Sequence, residues 1–136
     1  MKQLLCIAML FMCTLVFSQS LATVKSGEFK FDTETIDYGT IAKNDNGVRS
    51  FSFTNTGNAP IIITSVKGSC GCTVATKPSK PILPNETAEI GVKYDTKRVG
   101  SFSKTITVVS NASEKNKVLR IKGSVTKGNS TSVASN

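Results

Sequence analysis

Histidine and tryptophan are both missing from these 136 residues. Without imidazole the chain lacks the side chain that most often serves as a general base near neutral pH, and a Ser-His-Asp arrangement is excluded. A zinc or copper(II) site would have to gather carboxylates from distant strands. The absent tryptophan removes the buried ring that packs on the inter-sheet disulfide of antibody domains. Cysteine is sparse as well. Two of the four, Cys6 and Cys13, lie in the apolar N-terminus, and the others are Cys70 and Cys72. These last two are too close in sequence to bridge two sheets across a core. Glycine-rich phosphate loops are missing and the nine carboxylates are dispersed. The composition argues against an enzyme, against a resident cofactor or metal, and against a small-molecule substrate.

Long apolar runs are equally scarce, and the one present is Leu4 to Phe17, behind Lys2 and broken by Thr14. With small residues at Ser18 and Ala22, residues 1–22 read as a secretory signal peptide cleaved after one or the other. The run falls short of the ~20 residues of a membrane span, so the product is not expected to be membrane-embedded. Bulky Met12 before Cys13 disfavours acylation of that cysteine. Cleavage leaves Cys70 and Cys72 as the only thiols of an exported protein, periplasmic or at the cell surface. Without Lys2, 16 basic residues stand against nine acidic ones, a charge of about +7. The lysines are scattered, with no run of five or six and no interleaved aromatics. That pattern suits solvated faces and blunted sheet edges, and nucleic acid is not an expected partner. Electrostatic adhesion to an anionic glycan or lipid is a weaker alternative.

From Phe29 onward the apolar period is two. Phe29 and Phe31 alternate with polar residues, and Ile36, Tyr38 and Ile41 continue past Gly39. Phe51 and Phe53 share a face with Arg49, so the inward side is clear only at the strand centre. After the turn cluster Asn55–Asn58, Ile61, Ile62 and Ile63 lead through Val66 to Gly68. A loop with Pro78, Pro81 and Pro84 follows the cysteine pair. Ala88, Ile90, Val92 and Tyr94 then alternate with Glu89, Gly91 and Lys93. Phe102, Ile106 and Val108 form the next inward set, and Leu119, Ile121 and Val125 the last, with Gly123 on their face. No segment keeps helical spacing for more than two turns. Six to eight short strands with frequent turn signals predict an all-β, two-sheet sandwich of about seven strands over 29–125. Residues 23–28 form a short lead, and 126–136 read as a disordered polar tail.

In order, the chain carries Asp37–Ile41 (DYGTI), Phe51–Gly57 (FxFxNxG), Pro60–Ile63, Ser69–Thr73 (SCGCT), Pro84–Glu86, Ile90–Asp95, Gly100–Asn111 and Ile121–Val125. Together these resemble the bacterial DUF1573 family across nearly the whole exported chain. The resemblance implies an immunoglobulin-like sandwich similar to major-sperm-protein and ASPM–SPD-2–Hydin domains, in exported proteins of no assigned activity. The family's Pro-Gly-Glu turn reads Pro84-Asn85-Glu86 here, and asparagine also tolerates positive φ.

The chemistry on offer is concentrated in Ser69-Cys70-Gly71-Cys72-Thr73. If the stretch ends a strand, Cys70 and Cys72 point to one face with Cα atoms ~6.5 Å apart. A disulfide then needs a bend, which Gly71 permits, and closes a small, strained and labile ring. Four readings stay open: a structural pair or local staple, a redox-active dithiol, a soft-metal site, and an intermolecular link. Two functions follow. The first is a non-catalytic protein-binding or envelope-assembly module that pairs with a protein through a sheet face or edge. The alternative is a thiol-dependent redox or metal role.

Overall fold

The computed structural model describes residues 23–128; residues 1–22, expected to be a signal peptide, and residues 129–136 of the expected polar tail lie outside the described residues. There are eight strands: β1 (Phe29–Phe31), β2 (Thr35–Ala42), β3 (Val48–Asn55), β4 (Ile63–Gly68), β5 (Thr73–Thr76), β6 (Thr87–Tyr94), β7 (Gly100–Ser110) and β8 (Asn116–Thr126). They form two four-stranded sheets, β1-β3-β6-β5 and β2-β8-β7-β4. All pairings are antiparallel except that of β2 with β8. The sandwich expected from the pattern is therefore present, with eight strands rather than about seven.

The additional strand is β5, in a stretch whose sequence reads as loop. Its burial explains the omission. Val74 points to solvent, Ala75 is half-buried and Thr76 is exposed, so no apolar alternation marks it. It is a strand because its backbone pairs with β6, Val74 opposite Lys93 and Thr76 opposite Gly91.

The alternating residues meet between the sheets. Phe51, Phe53, Ile90 and Val92 come from one inner face; Ile106, Val108, Leu119, Ile121 and Val125 come from the other. Each such side chain contributes about 1.5–3 kcal/mol by leaving water. Aromatic rings close both ends. Phe29, Phe31 and Phe53 cluster at one, with centroids 5.1–5.4 Å apart. At the other, Tyr94 stacks on Phe102 at 3.8 Å and Tyr38 meets Phe102 edge-on at 5.4 Å. Gly123 makes room for this second cluster: a Cβ there would lie 2.8 Å from Cβ of Tyr38 and 2.9 Å from the Phe102 ring.

Asn55, at the end of β3, is fully buried and saturated with hydrogen bonds. Its Nδ2 donates to the carbonyls of Ala59 and Ile82, and its Oδ1 accepts from the amides of Glu28 and Gly57. One amide thus ties the lead before β1, the turn after β3 and the proline loop. Ile82 anchors that loop by exchanging backbone hydrogen bonds with Ile61. Asn85 in the same loop has φ of 67°, the left-handed conformation expected where the family pattern has glycine. On the far side of the loop, Asn111 accepts from the Ile62 amide and donates to the Pro60 carbonyl. Asn55→Ala leaves several buried backbone groups unpartnered and should cost about 3 kcal/mol. Asn58→Ala, at an exposed position of the same turn, should cost less than ~1 kcal/mol. Urea midpoints of the two variants measure the difference.

Candidate functional site

The Ser69–Thr73 stretch is the corner at which the chain leaves one sheet and enters the other, because β4 and β5 belong to different sheets. Cys70 and Cys72 are joined by a disulfide with Cα atoms 5.3 Å apart. The pair therefore does not sit on an extended strand end, where the separation would be ~6.5 Å. It sits in a tight turn, closed by the Thr73 amide donating to the Cys70 carbonyl at 3.3 Å. The reason for the turn is topological, since a chain changing sheets must fold back. A bridge in this turn fits both the staple and the redox readings of the sequence.

The turn has anchors besides its sulfurs. The Ser69 amide donates to the Thr105 carbonyl, and Ser69 Oγ accepts from the Thr105 amide. The Cys72 carbonyl accepts from the Asp95 amide at 2.9 Å. Thr73 is buried, and Gly68 allows the end of β4 to run against it: a Cβ on Gly68 would lie 2.8 Å from the Thr73 carbonyl oxygen. Gly71 has open space on its Cβ side and no positive φ, so it leaves the outer face of the turn bare. The two sulfurs are unequal. Cys72 is 6% exposed and packs into the core, whereas Cys70 is half-buried and its Sγ accepts from the Cys72 amide at 3.3 Å.

A groove of about 600 Å³ opens beside this corner. Gly71 and Cys72 line one flank. Its floor is the outer face of β3-β6-β5, where Val48, Lys93 and Val74 stand in one row across three strands. Both valines are more than half exposed, at 51% and 61%. Its other walls are the Asn44–Gly47 loop and the Asp95–Lys97 turn, which are tied together by the Thr96 hydroxyl donating to the Asp45 carbonyl.

Tyr38 holds the loop wall from beneath. Its hydroxyl donates to the Gly47 carbonyl at 2.8 Å, and the Arg49 guanidinium lies 4.6 Å over its ring. Arg49 also donates to the carbonyls of Asn46 and Val48. This accounts for a cation in register with Phe51 and Phe53: it caps the rim of the core. Burial pushes the Tyr38 phenol above its ordinary range, against the opposing charge of Arg49. Tyr94 is raised by burial as well.

Elsewhere the charges serve the fold. Hydrogen bonds to Glu34 and Glu114 raise Lys117, while the Gly39 amide and then Lys122 lower Asp37. Among the described residues no group of three or more potential metal ligands converges, and no helix is long and apolar enough to cross a membrane. Sequence reasoning reached Ser69–Thr73 but missed Val48, Val74 and Lys93. Their only signal was the pair of valines out of phase with their neighbours.

An eight-stranded sandwich of this kind is an immunoglobulin-like domain. Residues 29–125 match the family described as protein of unknown function (DUF1573), and the chain belongs to it. No curated protein matches the sequence. Among solved structures, a protein of unknown function from Porphyromonas gingivalis is similar, with a TM-score of 0.66 and 15% identity over 77% of this chain and 50% of that one. The VesB protease of Vibrio cholerae has a TM-score of 0.56 and 12% identity, over 73% of this chain and 32% of that one. The ASH/PapD-like domain of human CEP192 has a TM-score of 0.58 and 9% identity, over 85% of this chain and 96% of that one. The chain thus spans half the length of the first of these proteins and about a third of the second. At such identities the likeness is one of fold.

Two outcomes test the site's construction. The bridge closes so short a loop that its effect on unfolded-chain entropy is small, so reduction should lower stability by no more than about 2 kcal/mol. Urea unfolding with and without reductant measures this. For Tyr38 the folded-state pKa lies above the unfolded value near 10, so the associated stability is full below pH 10 and falls as pH rises through and past it. Tyr38→Phe should flatten that alkaline decline, leaving the share of Tyr94. At neutral pH it should cost about 1 kcal/mol through the lost bond to Gly47. Melting curves from pH 8 to 11.5 record both effects.

Proposed function

We propose that this domain is a non-catalytic protein-binding module, exported from the cytoplasm, that receives an extended segment of its partner along β5. The observation that supports this most directly is the edge position of β5 beside the exposed Val48–Lys93–Val74 row. The Cys72 carbonyl accepts from Asp95 after β6 and Val74 pairs with Lys93, so by antiparallel alternation Ala75 directs its N–H and C=O outward. An added strand would take up those groups, and its side chains would lie beside Val74 on the edge strand. Lys67, Lys77, Lys93 and Lys97 surround this edge, and none lies within ion-pair distance of a carboxylate among the described residues. A segment with acidic flanks and a small apolar centre suits these surroundings. Similarity to a protease lends no activity to the chain, which has no histidine with which to build an imidazole-based site.

A photoreactive residue at Val74 should form partner adducts in intact cells, while one at Val118, exposed on the opposite sheet, should not. Ala75→Pro should abolish the Val74 adducts, because it removes an outward-facing donor and leaves the bonds to β6 in place. Its melting temperature should fall by only a few degrees. Equal adduct yields at Val74 and Val118, or Val74 adducts that persist in Ala75→Pro, would exclude β5 as the binding edge.

A further inference from the structure

We infer that the Cys70–Cys72 bridge is a thiol-exchange site: Cys70 is the sulfur that an incoming cysteine attacks, and Cys72 is the buried resolving sulfur. The substrate class is a pair of cysteine thiols on an extended polypeptide. Four observations carry this. First, the two cysteines differ in exposure as residues, Cys72 being 6% exposed and Cys70 half-buried. Second, the Cys72 amide donates to Cys70 Sγ at 3.3 Å, a contact that also serves a thiolate released there. Third, the turn is also held by the Ser69–Thr105, Thr73–Cys70 and Asp95–Cys72 hydrogen bonds, none of which uses a sulfur. Fourth, Gly71, between the two cysteines, has open space on its Cβ side. A bridge buried on both sides, or one whose loss released the turn, would have none of these properties together.

The exchange balances as follows. A partner thiolate attacks Cys70 Sγ, the Cys70–Cys72 bond breaks, and Cys72 leaves as a thiolate that takes a proton from water. The partner's second thiolate then attacks its own sulfur in the mixed disulfide. That step forms the partner's disulfide and expels Cys70 as a thiolate facing the Cys72 amide, and a second proton from water restores the dithiol. Two electrons pass from the partner's thiols to the bridge. Cys72 can instead attack Cys70 Sγ in the mixed disulfide, which restores the bridge and releases the partner reduced. This chemistry does not depend on strand addition at β5.

Reduced glutathione probes the sulfur chemistry without any docking peptide. The full wild-type chain would be exposed to it natively and in guanidinium, quenched with iodoacetamide, and mapped by peptide fragmentation, which separates Cys70 and Cys72 from Cys6 and Cys13. The native protein should carry the glutathione adduct on Cys70 in at least about tenfold excess over Cys72. Equal labelling of both sulfurs, or adducts that form only in guanidinium, would overturn the assignment and leave a structural staple. In parallel, Cys72→Ser should trap a stable mixed disulfide at Cys70 with a cysteine-containing peptide, and Cys70→Ser should trap none at Cys72. If either variant proves unfolded by circular dichroism, the wild-type mapping decides alone.

Discussion

The exclusion of water from between two inner sheet faces is the interaction on which the rest of this domain depends. Among the described residues no disulfide crosses the core to lock the sheets together, since Cys70 and Cys72 are joined within a turn. Phe51, Phe53, Ile90, Ile106, Leu119 and Ile121, all at 0% exposure, hold the faces by interdigitation alone. Five of the seven connections pass from one sheet to the other. Every crossing exposes backbone groups at an end of the sandwich, and the polar residues of the fold are spent on closing those ends. Asn55 closes one end with its amide, and Tyr38 secures the other through Gly47.

The strands were legible where one face is buried and the other wet. Ile90, Val92 and Tyr94 on β6, and Leu119, Ile121 and Val125 on β8, announce their direction because burial imposes period two on the side chains. β5 was not legible, because an edge strand can be made by backbone pairing alone. Asn55 reads in sequence as one more turn residue beside Thr56, Gly57 and Asn58; nothing local says that its amide is swallowed by the core. The cysteine stretch was legible as the chemical centre but not as a corner. Whether two cysteines lie along a strand or in a turn depends on which sheet the next strand joins, and that information is long-range. Lys93 has only its place on a wet face to mark it until Val48 and Val74 are brought to its two sides.

Putting a disulfide in a crossover turn, with its anchoring bonds drawn from other elements, separates chemistry from architecture. The same corner supports the groove wall through Cys72 and the sheet through Thr73. Ser69 and Asp95 hold the backbone on either side of the pair through bonds that use no sulfur. The neighbouring apolar row and unpaired lysines add a place for a chain to lie without adding any burden to the core.

The parallel pairing of β2 with β8 has a mechanical consequence. Tension applied between the chain before β2 and the chain after β8 pulls these two strands in opposite senses along their length. The hydrogen bonds of this ladder, whose register runs from Thr35 opposite Arg120 to Ala42 opposite Thr126, are then loaded in shear and share the force, instead of opening one after another as in a peeled hairpin. The bulge between Asp37 and Thr40 divides this ladder into two patches of three register pairs, so yielding would come in two stages. The three-residue β1, paired antiparallel to β3, offers little resistance ahead of them.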